Sequence, residues 1–210
     1  MGKQLQENNP QITNLNDQYR PQKLADMLDE IYDNEWTDAF GNLQTEMADV
    51  SETDRIKILL DLLKITYDGC LNHVHKRSDQ VQDWFKDQKK CENSKILDFV
   101  VSIASSMISV IETEIFKEVV TRYGEHVADV CTYYLQRCVT LCFYMAVKSP
   151  VVYLQFDCPS QHVDPTYFKP YTKDGEALDY LVWPALFLHK GGPLMARGVV
   201  QCQEKVLESL

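Results

Sequence analysis

The chain has 210 residues, 45% hydrophobic and 25% charged, with a formal net charge of −10. This suits one globular unit with its own core, with or without a mobile arm, and the negative balance excludes a nucleic-acid binder held by a general electrostatic field. The charge is uneven: Met1–Gly69 carries 6 basic against 14 acidic residues, Cys70–Lys148 10 against 10, and Ser149–Leu210 5 against 7, so an anion-binding surface is expected in the middle or the tail.

Met1–Tyr19 is rich in Asn and Gln and reads as a flexible arm; its first ten residues are too polar for a secretory signal. Pro21 suits the first position of a helix. Leu24, Leu28 and Ile31 form one stripe of that helix, with Tyr32, Trp36 and Phe40 at intervals of four beside it and Gly41 as its expected end. Its other face, with Asp26, Asp29, Glu30, Asp33 and Asp38, reads as solvated. Ser51 and Asp54 form a variant capping box for a helix from Glu52 to about Asn72. Ser78 is a plausible cap for a third helix through Val81, Trp84 and Phe85. Apolar periodicity resumes with Ile96, Val100, Ile103, Ala104, Met107, Ile111, Ile115 and Val119, as one long helix or as two with a break near Glu92-Asn93-Ser94. Tyr123-Gly124 interrupts it, and a last helix runs from Val127 to Met145, stopped by Ser149-Pro150.

After Pro150 the texture becomes that of strands. Val151–Phe156, Asp179–Trp183, Leu186–His189 and Arg197–Gln201 are strand candidates. Asp164-Pro165, Lys173-Asp174-Gly175 and Gly191-Gly192-Pro193 are turn signals, and Pro184 requires a kink. Glu204–Leu210 suits a closing helical turn. The expected fold is mainly α: a bundle of four to five helices over residues 20–148, with a C-terminal cap of short β-strands and loops over 150–202.

Two apolar stretches invite a membrane test. Ile96–Ile111 is too short to span and contains Asp98; Val127–Val147 carries Asp129, Gln136 and Arg137. Both are better read as bundle helices, which leaves peripheral membrane contact.

Catalytic signatures are absent from the sequence: no GxSxG, no P-loop, no GxGxxG. The seven cysteines include no CxxC pair; Cys131, Cys138 and Cys142 share a helical face and read as buried thiols of a reducing compartment. His73 and His75 are two apart, so on a helix they diverge, and no Cys/His pair at zinc spacing lies nearby. His189, before the Gly-Gly turn, reads as a surface or core histidine. No cofactor or metal is expected. The feature with functional promise is a basic cluster, Lys76, Arg77, Lys86, Lys89 and Lys90, around Trp84 and Phe85. With the charges sorted to one face, it suits an interfacial anchor: rings enter the headgroup region and cations meet anionic phosphates. With Asp79, Asp83 and Asp87 neutralising the lysines and Trp84 turned to the core, the same residues are structural.

Several stretches together carry a family likeness: Tyr19-Arg20-Pro21 with Lys23-Leu24, Tyr32–Asp38, Pro170-Tyr171-Thr172 with Gly175, and Val182-Trp183-Pro184-Ala185-Leu186 through His189–Pro193 to Gly198. From about Gln18 to Gln201 the chain resembles the C-terminal domain of the mitochondria-eating protein (Mieap) family. The resemblance implies a non-enzymatic protein of mitochondrial quality control, located in cytoplasm and mitochondrion and acting peripherally at the outer membrane or in the matrix. It also implies binding of anionic mitochondrial phospholipid, cardiolipin above all, and self-association. The coiled coil that precedes this domain in the family is not among these 210 residues. A scaffold that binds protein partners through the acidic first helix and the exposed tail, without lipid, is the alternative.

Overall fold

The computed structural model describes residues 19–84, 93–158 and 160–203. The chain opens with α1 (Pro21–Ile31), a π-helical turn (Tyr32–Trp36) and α2 (Thr37–Glu46), which form one rod. α3 (Glu52–Trp84) follows, then α4 (Asn93–Ser102), α5 (Ala104–Tyr123), α6 (Glu125–Val130) and α7 (Thr132–Ala146). Pro21 occupies the first turn of α1 after an extended Arg20. Leu24, Leu28 and Ile31 are fully buried. The wider π-turn offsets the drift of a four-residue repeat on an α-helix, so Tyr32, Trp36 and Phe40 stay in column, their ring centroids 5.0 and 5.4 Å apart.

Three expected boundaries move. Gly41 does not end its helix, which continues to Glu46, because burying Leu43 outweighs the modest cost of one internal glycine. Ser78 caps nothing: α3 is continuous from Glu52 to Trp84. No Gly or Pro interrupts Asn72–Asp79, and the His75–Asp79 and Arg77–Gln80 contacts lie along the helix surface. The long periodic run does break, but at Ile103, whereas the expected break near Glu92 borders residues 85–92, outside those described. The Ser51 cap is present: its hydroxyl donates to the Asp54 carboxylate (2.7 Å) and accepts from the Asp54 N–H (3.1 Å). The closing turn expected over Glu204–Leu210 lies outside the described residues, as does the N-terminal arm except Tyr19, which stacks on Tyr144.

α3 and α7 form the centre of the bundle. Tyr134 Oη donates to the Leu59 carbonyl (3.0 Å) and Tyr67 Oη to the Val152 carbonyl (3.0 Å), so two buried phenols find backbone partners across elements. α5 runs antiparallel to α3, tied by Arg122 and Tyr123 to Asp61 (2.6 and 2.7 Å) and by His73 to Glu114 (2.5 Å).

The cap contains two three-stranded sheets. β1 (Tyr153–Gln155), β4 (Ala185–Phe187) and β5 (Leu194–Ala196) form one, with β4 central and antiparallel to both. β2 (Phe168–Pro170), β6 (Gly198–Cys202) and β3 (Leu178–Trp183) form the other, β6 being central, parallel to β2 and antiparallel to β3. Pro184 ends one ladder and Ala185 starts the next, so the kink expected there is the corner between sheets. A register shift between Leu181 and Trp183 turns both Val182 and Trp183 into the main core. Along β6 the alternation is regular: Val199 faces that core, Val200 and Cys202 a smaller one with Phe168, Leu181 and Phe187. β2 and β5 escaped the sequence reading because three residues carry no period.

Two glycines give a paired test. A Cβ on Gly198 would stand 2.7 Å from the Phe168 ring and 2.8 Å from the Trp183 carbonyl oxygen. A Cβ on Gly41 would meet nothing within 4 Å. Thermal unfolding of G198A is expected to show a loss of about 1–3 kcal/mol, and of G41A a gain of about 0.5–1 kcal/mol.

Candidate functional site

At 33 residues α3 is about 50 Å long, while α7, its closest partner, has 15 residues and is about 22 Å long. Burial along α3 stops at Val74; beyond it, no residue whose side chain is described is buried. α4 packs back against this overhang and buries Val100 (1% exposed) while leaving Phe99 (48%) and Val101 (41%) open. The end of α3 and α4 thus make a two-helix arm, joined to the main core through Val74 and Val100 alongside Ala104 and Met107 of α5.

Two of the seven residues proposed as an interfacial anchor are described with their side chains. Lys76 and Arg77 are exposed on the arm, Arg77 Nη1 donating to Gln80 Oε1 (3.0 Å). Asp79, expected as a neutraliser of the lysines, contacts His75 (3.7 Å). Trp84 is the last residue of α3, and its side chain is outside those described. Phe85, Lys86, Lys89 and Lys90 also lie outside the described residues. From His73 to Asp98 the sequence has six basic and five acidic residues, so this stretch is slightly positive on a chain of net −10; among its described side chains Lys76 and Arg77 stand against Asp79, Asp83 and Asp98.

Sequence reasoning missed the open apolar side chains of this region. Ile103 was expected on the buried stripe but is 38% exposed, because the break at that residue rotates it outward. The absence of any charge between Asp98 and Glu112 was the available signal.

The other candidates have structural partners. His73 pairs with Glu114 on α5 and His75 with Asp79 on α3, so the two rings serve different carboxylates. The His189 ring lies where a Cβ on Gly192 would sit, 2.7 Å away, and Gly191 takes φ +74 in the same turn, so Gly-Gly here answers a steric demand. An open groove of about 750 Å³ between α2 and α7 is lined by Glu35, Asp38, Tyr133 and Arg137. Arg137 is engaged there by Glu35 (3.0 Å) and by Glu30 of the acidic first helix (3.3 Å), which takes Glu30 partly out of the solvated face. Glu112 borders this groove, its carboxyl raised above the usual range by desolvation. Its mixed lining does not make the enclosed apolar cavity that an acyl chain would fill.

A sequence model of the mitochondria-eating protein family matches residues 20–202. The chain belongs to that family. No curated protein and no solved structure is similar enough to match it. The match runs from the residue before α1 to the end of β6, so the Mieap domain includes both bundle and cap. Membership implies a role in mitochondrial quality control. Among the described residues no helix is long and apolar enough to cross a membrane. The stretches that carry the likeness meet inside the molecule: Trp183 lies 5.2 Å from Tyr32 and 6.5 Å from Tyr134, and Trp36 lies 6.3 Å from Tyr171. They join cap to bundle, and Glu35 and Asp38 of the first stretch also border the groove between α2 and α7.

Burial holds the Cys70 and Cys131 thiols at about 12, against an ordinary 9, and raises Cys138 and Cys142 as well. Unfolding frees these thiols to ionise near 9, so the unfolded chain releases protons first as pH rises. Stability is expected to fall from pH 9 towards 12. In a C91S variant at pH 8, iodoacetamide is expected to add rapidly to half-buried Cys158 alone, and to the other five only in denaturant, as read by intact mass.

Proposed function

We propose that this Mieap domain is a non-enzymatic, peripheral lipid-binding module that docks its two-helix arm on anionic mitochondrial phospholipid, cardiolipin being the expected ligand. The observation that carries the reading is that Lys76 and Arg77 are exposed towards the end of α3, in a stretch from His73 to Asp98 that has six basic and five acidic residues on a chain of net −10. In this reading Lys76, Arg77, Lys86, Lys89 and Lys90 meet headgroup phosphates, and Trp84 and Phe85 enter the interface. No cofactor takes part. The domain works between cytoplasm and mitochondrion, at the outer membrane or in the matrix, with self-association and protein partners as further contacts.

Each basic residue close to an anionic surface contributes about 1 kcal/mol. Flotation with phosphatidylcholine vesicles, with and without cardiolipin, tests the reading. Binding is expected only with cardiolipin, and to weaken as salt rises above physiological ionic strength. Reversing Lys86, Lys89 and Lys90 to Glu is expected to weaken it by roughly two orders of magnitude or more, and K76E/R77E by at least tenfold. Binding that ignores these changes removes the arm as the lipid site. Binding to a mitochondrial protein without lipid, sensitive to changes at Asp29, Glu30 and Asp33, would instead support the scaffold.

A further inference from the structure

We infer that the groove between α2 and α7 seats a short basic segment of a partner protein, with Tyr133 as its anchor. Tyr133 and Arg137, one turn apart on α7, form one wall; Asp38 of α2 stands on the other, and Glu112 of α5 borders the groove. Tyr133 is 81% exposed, more than any other large apolar or aromatic side chain described, and its ring has no aromatic partner among the described residues. A tyrosine presented in this way offers a large contact area at small entropic cost, which is why tyrosines recur at the centres of interfaces. A second hollow of about 760 Å³ adjoins the groove, sharing Glu112 and Gln136, with Phe116 and Val120 on its wall. Glu112, Phe116 and Val120 recur every four residues, so they line about 12 Å of α5. Two adjoining hollows of this size exceed what one small ligand fills and suit a chain segment.

Charge determines what that segment carries. The carboxylates of Glu35, Asp38 and Glu112 line the groove, and that of Glu30 stands at its rim, against one cation, Arg137. Arg137 is already engaged, donating from Nε to Glu35 Oε1 and from Nη2 to Glu30 Oε2. Glu35 Oε2 is buried without a partner, and among the described residues the Asp38 and Glu112 carboxylates have no hydrogen bond or ion pair. Desolvation without a counter-charge raises the Glu112 carboxyl. Lys117 is a second cation, but it lines the adjoining hollow with Phe116 and Val120 and not the groove itself. The need for positive charge is thus confined to the groove between α2 and α7, and the apolar contact to the α5 side. A segment with Arg or Lys beside aliphatic side chains meets both, its N–H groups reaching the unpaired carboxylates. An anionic headgroup is repelled from such a groove, so the inference stands apart from the membrane reading of the arm.

Fluorescein-labelled, amidated peptides repeating Leu-Arg-Ala-Ala or Leu-Glu-Ala-Ala, titrated with the full chain and read by anisotropy, test this. The basic peptide is expected to bind about tenfold tighter than the acidic one, or better. D38K/E112K is expected to weaken the basic peptide by at least about tenfold and to bind the acidic peptide better than the wild type does, a gain that misfolding does not mimic. Y133S is expected to weaken the basic peptide by about tenfold while leaving its salt dependence unchanged. D29K/D33K makes the same change of charge elsewhere on the same rod and is expected to alter binding by no more than about twofold. Equal effects of the two reversals overturn the inference, because the general field of a chain of net −10 would then be the attraction. So do peptides of both signs binding alike, failure of the basic peptide to bind, or a Y133S variant that binds as the wild type does. Spermidine that displaces the basic peptide at equal concentration also overturns it, since a free polyamine would then be the occupant. A dimer in sedimentation that Y133S dissolves has the same consequence, since a second copy would then fill the groove.

Discussion

The seat of Trp183 is the contact on which the cap depends. Its indole is 1% exposed and lies against Tyr32 of the π-turn and Tyr134 of α7. Its Nε1 is buried without a hydrogen-bond partner, as is Nε1 of Trp36. An orphaned buried donor costs about 1–3 kcal/mol, whereas burying an indole of about 200 Å² stabilises by about 5 kcal/mol. Apolar burial therefore wins at both positions. The short strands provide little area of their own to hold the cap in place, and this aromatic junction supplies it. The register shift before Trp183 and the corner at Pro184 are the local means of pointing that ring at the helices while the chain changes sheet.

The same junction explains why the most recognisable stretches of the sequence are so conspicuous. Tyr32–Trp36 and Val182–Trp183 are far apart in the chain and meet in the core, where their side chains must fit one another. The sequence announces such residues because Trp, Pro and paired Gly are conspicuous. Their chemistry here is packing and turn geometry: the Gly191-Gly192 turn leaves room for the His189 ring, and no reactive pair results.

Much of the architecture was legible before the structure. Apolar spacing identified the buried sides of α1 and α5, and proline and glycine marked the ends of α5 and α7 and the corner at Pro184. Helix ends were read less well, because a good N-cap residue such as Ser78 is also tolerated inside a helix, and one Gly is a small penalty beside a buried Leu43. The arm was the hardest part. Periodicity says which residues share a face but not whether another element covers it, and for Phe99 and Val110 none does. The break at Ile103 was hidden because all its neighbours fit one period. Of the proposed anchor, Lys76 and Arg77 are exposed towards the end of α3, while its remaining charges lie outside the described residues.

A chain of net −10 approaching an anionic bilayer is opposed by its own average charge, so geometry has to decide whether docking is feasible. Ten residues separate Val74, the last buried residue of α3 among those whose side chains are described, from Trp84; at 1.5 Å per residue the overhang is about 15 Å. The Debye length at physiological ionic strength is about 8 Å. An arm meeting the surface end-on holds the acidic bundle nearly two screening lengths away, where repulsion is largely damped. What such a surface would then meet is the local balance of the stretch from His73 to Asp98, six basic against five acidic residues. The same comparison makes ionic strength informative: at low salt the screening length exceeds the overhang and the body begins to oppose what the arm attracts. Affinity set by both parts would pass through a maximum at intermediate salt, whereas a simple basic patch would give a monotonic fall.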